Sequence, residues 1–234
     1  MTSTLLVVGI QGLGREVALH FAAQGWRVGC ASRTAATTEA LAKEVSAAGG
    51  EGIALACDLT DRSSLAALGA LAPDLVVAAQ SPGGRFGSKP LVEIDDDELE
   101  RGHATMVRGT WNLLKAVGPA MLARGSGTFV QVGTSSGVRT RDGFAVLGAV
   151  SSAQRSIVQV AAKEWRPKGV HVAYVPIDGP IESERSKGYG LPQSRLLDPK
   201  EITRGIAYLH SQSPRAWTHE LLLRPNDGEW TTPT

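Results

Sequence analysis

Short β-branched, apolar runs alternate with amphipathic stretches along the whole chain, and this alternation limits the fold more than any motif does. The runs at Thr4–Val8, Trp26–Ala31, Gly52–Cys57, Leu75–Ala79, Gly127–Val132, Val170–Val175 and Glu220–Leu223 have the length and composition of strands. Between them, apolar residues recur every three to four positions over Leu13–Gln24, Thr37–Ala48, Arg62–Leu71, Asp96–Arg124, Gly143–Arg166 and Pro199–Ser213, which predicts helices. Strands apolar almost throughout are expected where helices cover both faces of a sheet. Seven such strands alternating with helices predict a doubly wound α/β fold around a seven-stranded parallel sheet. The 234 residues contain no Pro/Gly/Ser-rich linker and no solenoid repeat, so one domain over 1–234 is expected.

Charge narrows the function classes. The net charge is +1 with acids and bases interspersed, which gives no electrostatic basis for a nucleic-acid or anionic-membrane partner. The longest apolar runs are strand-sized, and MTSTLLVVGIQGLG lacks the basic start and cleavage site of an export signal. Cys30 and Cys57 lie in apolar stretches, as expected of buried thiols in a reducing cytoplasm. No metal-ligand set is read from the sequence.

The first strand runs into Gly9-Ile10-Gln11-Gly12-Leu13-Gly14 at the start of a helix. Such a turn can bring bare backbone N–H groups against a diphosphate at the helix N-terminus. The strict G-x-G-x-x-G pattern is not met, because Val17 stands where its third glycine would fall. A tight turn without a ligand is the plainer alternative. The second strand ends in Ser32-Arg33, where an acidic residue would bind a ribose diol; Arg33 instead offers a cation to a 2′-phosphate. This favours NADP(H), with NAD(H) left open. Asp58, ending the third strand, is placed either to accept a hydrogen bond from the adenine end or to cap the helix near Asp61. Two irregular stretches, Gln80–Pro90 and Ile177–Asp198, follow predicted strand ends, the side on which open α/β sheets bind ligands.

Over nearly its whole length the chain resembles the short-chain dehydrogenase/reductase family, in its single-domain branch with an NAD(P)-binding Rossmann fold. Gly12-Leu13-Gly14 is similar to the end of the family's TGxxxGxG loop, one residue shortened. Ala78-Ala79-Gln80-Ser81 stands where the family has NNAG, without its asparagine. Gly127–Gly137 resembles the fifth strand and its serine-bearing end, and Asp178-Gly179-Pro180-Ile181-Glu182-Ser183 resembles the PGxxxT loop with Asp178 in place of proline. The resemblance implies cofactor contacts at Gly9, Gln11, Gly12, Leu13, Gly14, Ser32, Arg33, Asp58, Leu59 and Ala79, and near the nicotinamide at Gly179, Ile181 and Ser183.

The family's chemistry rests on a tyrosine four residues before a lysine on one helix face. The phenol exchanges a proton with the substrate oxygen, the ammonium lowers its pKa and holds the ribose, and a serine hydroxyl orients the carbonyl. Here Leu147 stands at the tyrosine position, Ser151 at the lysine position and Thr134 at the serine position, with Ser135 and Ser136 adjacent. Met106 corresponds to the helix asparagine. The residues four beyond Tyr174, Tyr189 and Tyr208 are Asp178, Gln193 and Gln212, so no Tyr-x-x-x-Lys exists in the chain. Substitute proton donors would be His103, one turn before Met106, or Tyr189 in the 177–198 segment. Arg139, Arg141 and Asp142 could meet an acidic substrate group, a solvated loop being the plainer reading.

Three readings follow: a weakly active or non-catalytic NADP(H)-binding protein; an oxidoreductase of a ketone or secondary alcohol with a relocated proton donor; and, last, a cleft converted to elimination or dehalogenation. The resemblance also implies a homodimer or homotetramer, with Ala104, Val107, Trp111, Leu114, Ile157, Val160 and Ala161 as a candidate apolar face.

Overall fold

The computed structural model describes residues 2–80 and 88–227. Six strands, β1 (Thr4–Val8), β2 (Arg27–Ser32), β3 (Glu51–Ala56), β4 (Leu75–Ala78), β5 (Gly127–Thr134) and β6 (Val170–Ile177), form one parallel sheet in the order β3-β2-β1-β4-β5-β6. The eight α-helices described are α1 (Leu13–Ala22), α2 (Ala35–Ala47), α3 (Ala66–Ala70), α4 (Asp96–Gly102), α5 (Gly109–Arg124), α6 (Ala145–Trp165), α7 (Glu184–Lys187) and α8 (Pro199–Ser211).

Period-two alternation distributes the strand side chains between two cores. Leu5, Val7, Val28, Val77 and Val130 pack against Val17, Phe21, Leu41 and Ile206 of α1, α2 and α8. Leu6, Val8, Val76 and Phe129, one residue out of phase, pack against Leu68, Leu113, Val158 and Trp165 of α3, α5 and α6. All five residues of β1 and all eight of β6 are buried. This two-sided covering is why those runs read as uninterrupted apolar stretches.

The seventh strand expected at Glu220–Leu223 is not a sheet strand; the chain there makes two isolated bridges, Tyr174 with Glu220 and Ile177 with Leu223. Pro176 explains the gap. Tyr174 N–H donates to His219 O and Leu221 N–H to Tyr174 O; beyond them Leu223 N–H donates to Pro176 O and Asp178 N–H to Leu223 O. The bond between these pairs would need an N–H from residue 176, which proline lacks.

The helix predicted over Asp96–Arg124 is interrupted by a π-helical turn, His103–Arg108. An inserted residue of this kind leaves no trace in apolar periodicity and often marks a functional site. Here the turn presents Met106 and Thr105 to the two halves of the cleft described below. Residues 81–87 of the Gln80–Pro90 loop lie outside the described residues. Among the described residues, no helix is long and apolar enough to cross a membrane.

Candidate cofactor and substrate cleft

Strand order reverses between β1 and β4, and the glycine turn leaves the sheet at that point. Gly9 has φ +82°, and a Cβ on it would lie 2.6 Å from Ala79 O, so both the backbone conformation and the approach to the end of β4 require glycine. Gly14 is constrained by packing: a Cβ there would lie 2.0 Å from Gly9 O. Gly12 is the N-cap of α1, has no side chain to occupy the orphan N–H groups of the first turn, and faces open space. Gly14→Ala is therefore expected to displace the turn and to abolish NADPH binding in a calorimetric titration while leaving the far-UV circular dichroism unchanged.

Two clefts meet over this turn at the C-terminal ends of the strands, both lined by Gln11, Ala79 and Gln80. One, of about 390 Å³, is lined by Gly9, Ser32, Arg33, Asp58 and Leu59. Arg33 is exposed and makes no hydrogen bond or ion pair among the described residues. Asp58 is less open than its position implied: its Oδ1 accepts from both the N–H and the hydroxyl of Thr60 at 2.8 Å. The capping role considered for Asp58 belongs to Asp61, which accepts from Ser63 N–H.

The other cleft, of about 890 Å³, is lined by Leu13, Met106, Thr134, Ser135, Leu147, Gly179, Ile181 and Tyr189, among others. Thr134 Oγ1 accepts from Ser136 N–H at 3.1 Å and lies 3.4 Å from Ser151 Oγ. Ser151 is fully buried. Leu147, on the first turn of α6, is half-buried at the cleft wall. Of the substitute donors, Tyr189 lines this cleft and is half exposed, whereas His103 is exposed and lines neither cleft. Tyr174 is completely buried beneath α6, where burial pushes its phenol up to about 12, and Tyr208 is exposed on α8. Ser183 does not line the cleft: its N–H donates to Ser186 Oγ and its Oγ accepts from Ser186 N–H, tying the start of α7.

Two groupings escaped the sequence. Thr110 accepts from Gln80 and Gln154, both at 2.9 Å, and donates to Gln131, whose amide also holds Ala78 O. This buried network steadies the end of β4, where the family asparagine is absent. Second, Arg139 and Arg141 are not simply solvated. Arg139 and Arg224 each reach Asp178 Oδ2 at 2.8 Å, and Arg141 reaches Oδ1 at 3.2 Å. Burial works to raise the Asp178 pKa, but hydrogen bonds from Ser135 and Arg139 and the neighbouring guanidinium charges overcome it and leave the carboxyl below its ordinary value.

Two clefts that meet at the switch point of a doubly wound sheet define the class. The chain belongs to the short chain dehydrogenase family, whose profile matches residues 3–188. It is 29% identical over 237 residues to the galactitol 2-dehydrogenase (L-tagatose-forming) of Cereibacter sphaeroides, covering 94% of this chain and 91% of that one. It is 28% identical over 231 residues to the glycine betaine reductase ATRR of Emericella nidulans, covering 92% of this chain but only 18% of that longer protein. Among solved structures, a metagenomic short-chain oxidoreductase in complex with NADP matches with TM-score 0.78 and 26% identity, over 96% of this chain and 97% of that one. A putative betaketoacyl-ACP reductase matches with TM-score 0.78 and 29% identity, over 95% and 96%.

Proposed function

We propose that this chain binds NADP(H) across the two connected clefts, as one nucleotide-binding domain, and catalyses little or no proton-coupled hydride transfer. The observation that carries the reading is Leu147 on the wall of the larger cleft, with the side chain at the lysine position, Ser151, buried against Thr134. The glycine turn, the uncapped start of α1 and Arg33 fit a diphosphate and a 2′-phosphate; the NADP held by the metagenomic relative supports the same choice. NAD(H) is the alternative coenzyme. The nicotinamide, when bound, supplies or takes a hydride. The chain's own part is to hold the diphosphate on N–H groups, to exclude water with Leu147, Met106 and Ile181, and to offer the Thr134 hydroxyl to a carbonyl oxygen. A hydroxyl without a phenol or ammonium beside it gives no efficient route for the accompanying proton.

NADPH titration tests the coenzyme assignment. Arg33→Gln is expected to weaken NADPH binding about tenfold or more, the loss of a charge-assisted contact, and to leave NADH binding within about twofold. Equal effects on both coenzymes would contradict the role of Arg33. A panel of ketones and aldehydes with the NADPH-loaded protein tests the chemistry, and steady oxidation of NADPH would defeat the non-catalytic reading.

A second reading, an oxidoreductase of a ketone or secondary alcohol with a relocated proton donor, is favoured by Tyr189 at the cleft wall. It requires turnover in the wild type that Tyr189→Phe removes. His103, which lines neither cleft, is not favoured.

For assembly we propose a homodimer or homotetramer. Trp111 and Val160, each about half exposed on α5 and α6, support that face, whereas Leu114 and Ala161 are buried in the subunit's own core. The buried thiols of Cys30 and Cys57 support a cytoplasmic setting.

A further inference from the structure

The carboxylate of Asp178 is shared by three guanidinium groups, and the sharing is unequal. Arg139 and Arg224 lie at 2.8 Å with side chains 13% and 17% exposed, and Ser135 hydrogen-bonds the same carboxylate. Arg141 is the outlier: it is farther away, at 3.2 Å, its side chain is 58% exposed, and it lines the larger cleft. One carboxylate facing three guanidinium groups cannot balance all of their charge. Arg141, the most exposed of the three, therefore brings positive charge to the cleft wall, held in place by Asp178. Its planar fork suits bidentate recognition of a carboxylate.

The cleft also fixes what lies beside that charge. Ser135, bonded to Asp178, is the chain neighbour of Thr134, which lines the same cleft. A ligand touching both would carry a carbonyl near Thr134 and an anionic group near Arg141. We propose that Arg141 is the anchor for the carboxylate of an oxo-acid ligand. The inference rests on the reading of this cleft as the ligand side of the coenzyme site.

The test is a calorimetric titration of the NADPH-loaded protein with pyruvate, acetoacetate and levulinate, each against its methyl ester, which keeps the ketone and removes the charge. NADPH itself is titrated first, so failure of the coenzyme reading appears as absence of NADPH binding. With NADPH bound, at least one oxo acid is expected to bind about tenfold or more tightly than its ester and than sulfate. Arg141→Gln is expected to remove that preference, and Arg141→Lys to restore part of it. Equal binding of acid and ester, binding of no acid while NADPH binds, sulfate binding as tightly as the acids, or a preference that survives Arg141→Gln would each overturn the assignment. The comparison of acid with ester needs no variant, so it stands even if the substitution perturbs folding.

Discussion

Leu147→Tyr is expected to raise NADPH-dependent ketone reduction at least about a hundredfold over the wild type, the lower end of what a positioned general acid contributes. The site keeps a hydroxyl-bearing wall beside residue 147, though not the lysine. Residue 147 is on the first turn of α6, half-buried at the wall of a cleft of about 890 Å³, so a larger side chain has room to project inward. Thr134 lines the same cleft. No lysine stands one turn further on to lower the phenol's pKa, so the gain is expected at the lower end and to be greatest with the phenol protonated, below its ordinary pKa of about 10. Leu147→Phe is the control, supplying the ring without the hydroxyl. A rise in both variants would point to packing rather than proton transfer, and a rise in neither would contradict the placement of residue 147.

Asp178→Asn is expected to destabilise the protein by about 3 kcal/mol, since it leaves the poorly exposed guanidinium groups of Arg139 and Arg224 beside a neutral amide. For a chain of this size that lowers Tm by about 6–12 °C. The pH dependence has a definite sign. The folded-state pKa of Asp178 is depressed below its ordinary 3.8. Its contribution is therefore complete above that ordinary value and is lost as pH falls through the folded-state pKa. Thermal melts of wild type and variant should differ by a constant amount near neutrality and converge in acid. A difference that persists below both pKa values would show that charge pairing is not the source of the stability.

The central strands were legible because they are covered on both faces, which turns buried position into an uninterrupted apolar run. The edge was less so: Glu220–Leu223 has strand composition, but the proline that interrupts its pairing lies on its neighbour β6, far away in sequence. The absence of any Tyr-x-x-x-Lys was legible residue by residue, because it is a statement about identity at fixed spacing. The Asp178 cluster was not. Its members come from the segment after β5, the end of β6 and the chain beyond α8, and only folding brings them together. Taken singly, Arg139 and Arg141 look like solvated loop charges, and Asp178 looks only like a missing proline. The π-helical turn and the contacts of Gln80 were hidden for the same reason, being set by tertiary packing rather than by local pattern.

NADP(H) binding requires the opening strand–helix turn to hold the coenzyme diphosphate. Calorimetric titration of the wild-type protein with NADPH tests it most directly. A saturable isotherm with one site per chain and a Kd in the range of about a micromolar is expected. No binding heat up to about a millimolar, at two temperatures so that a vanishing enthalpy is not mistaken for absence, would contradict it.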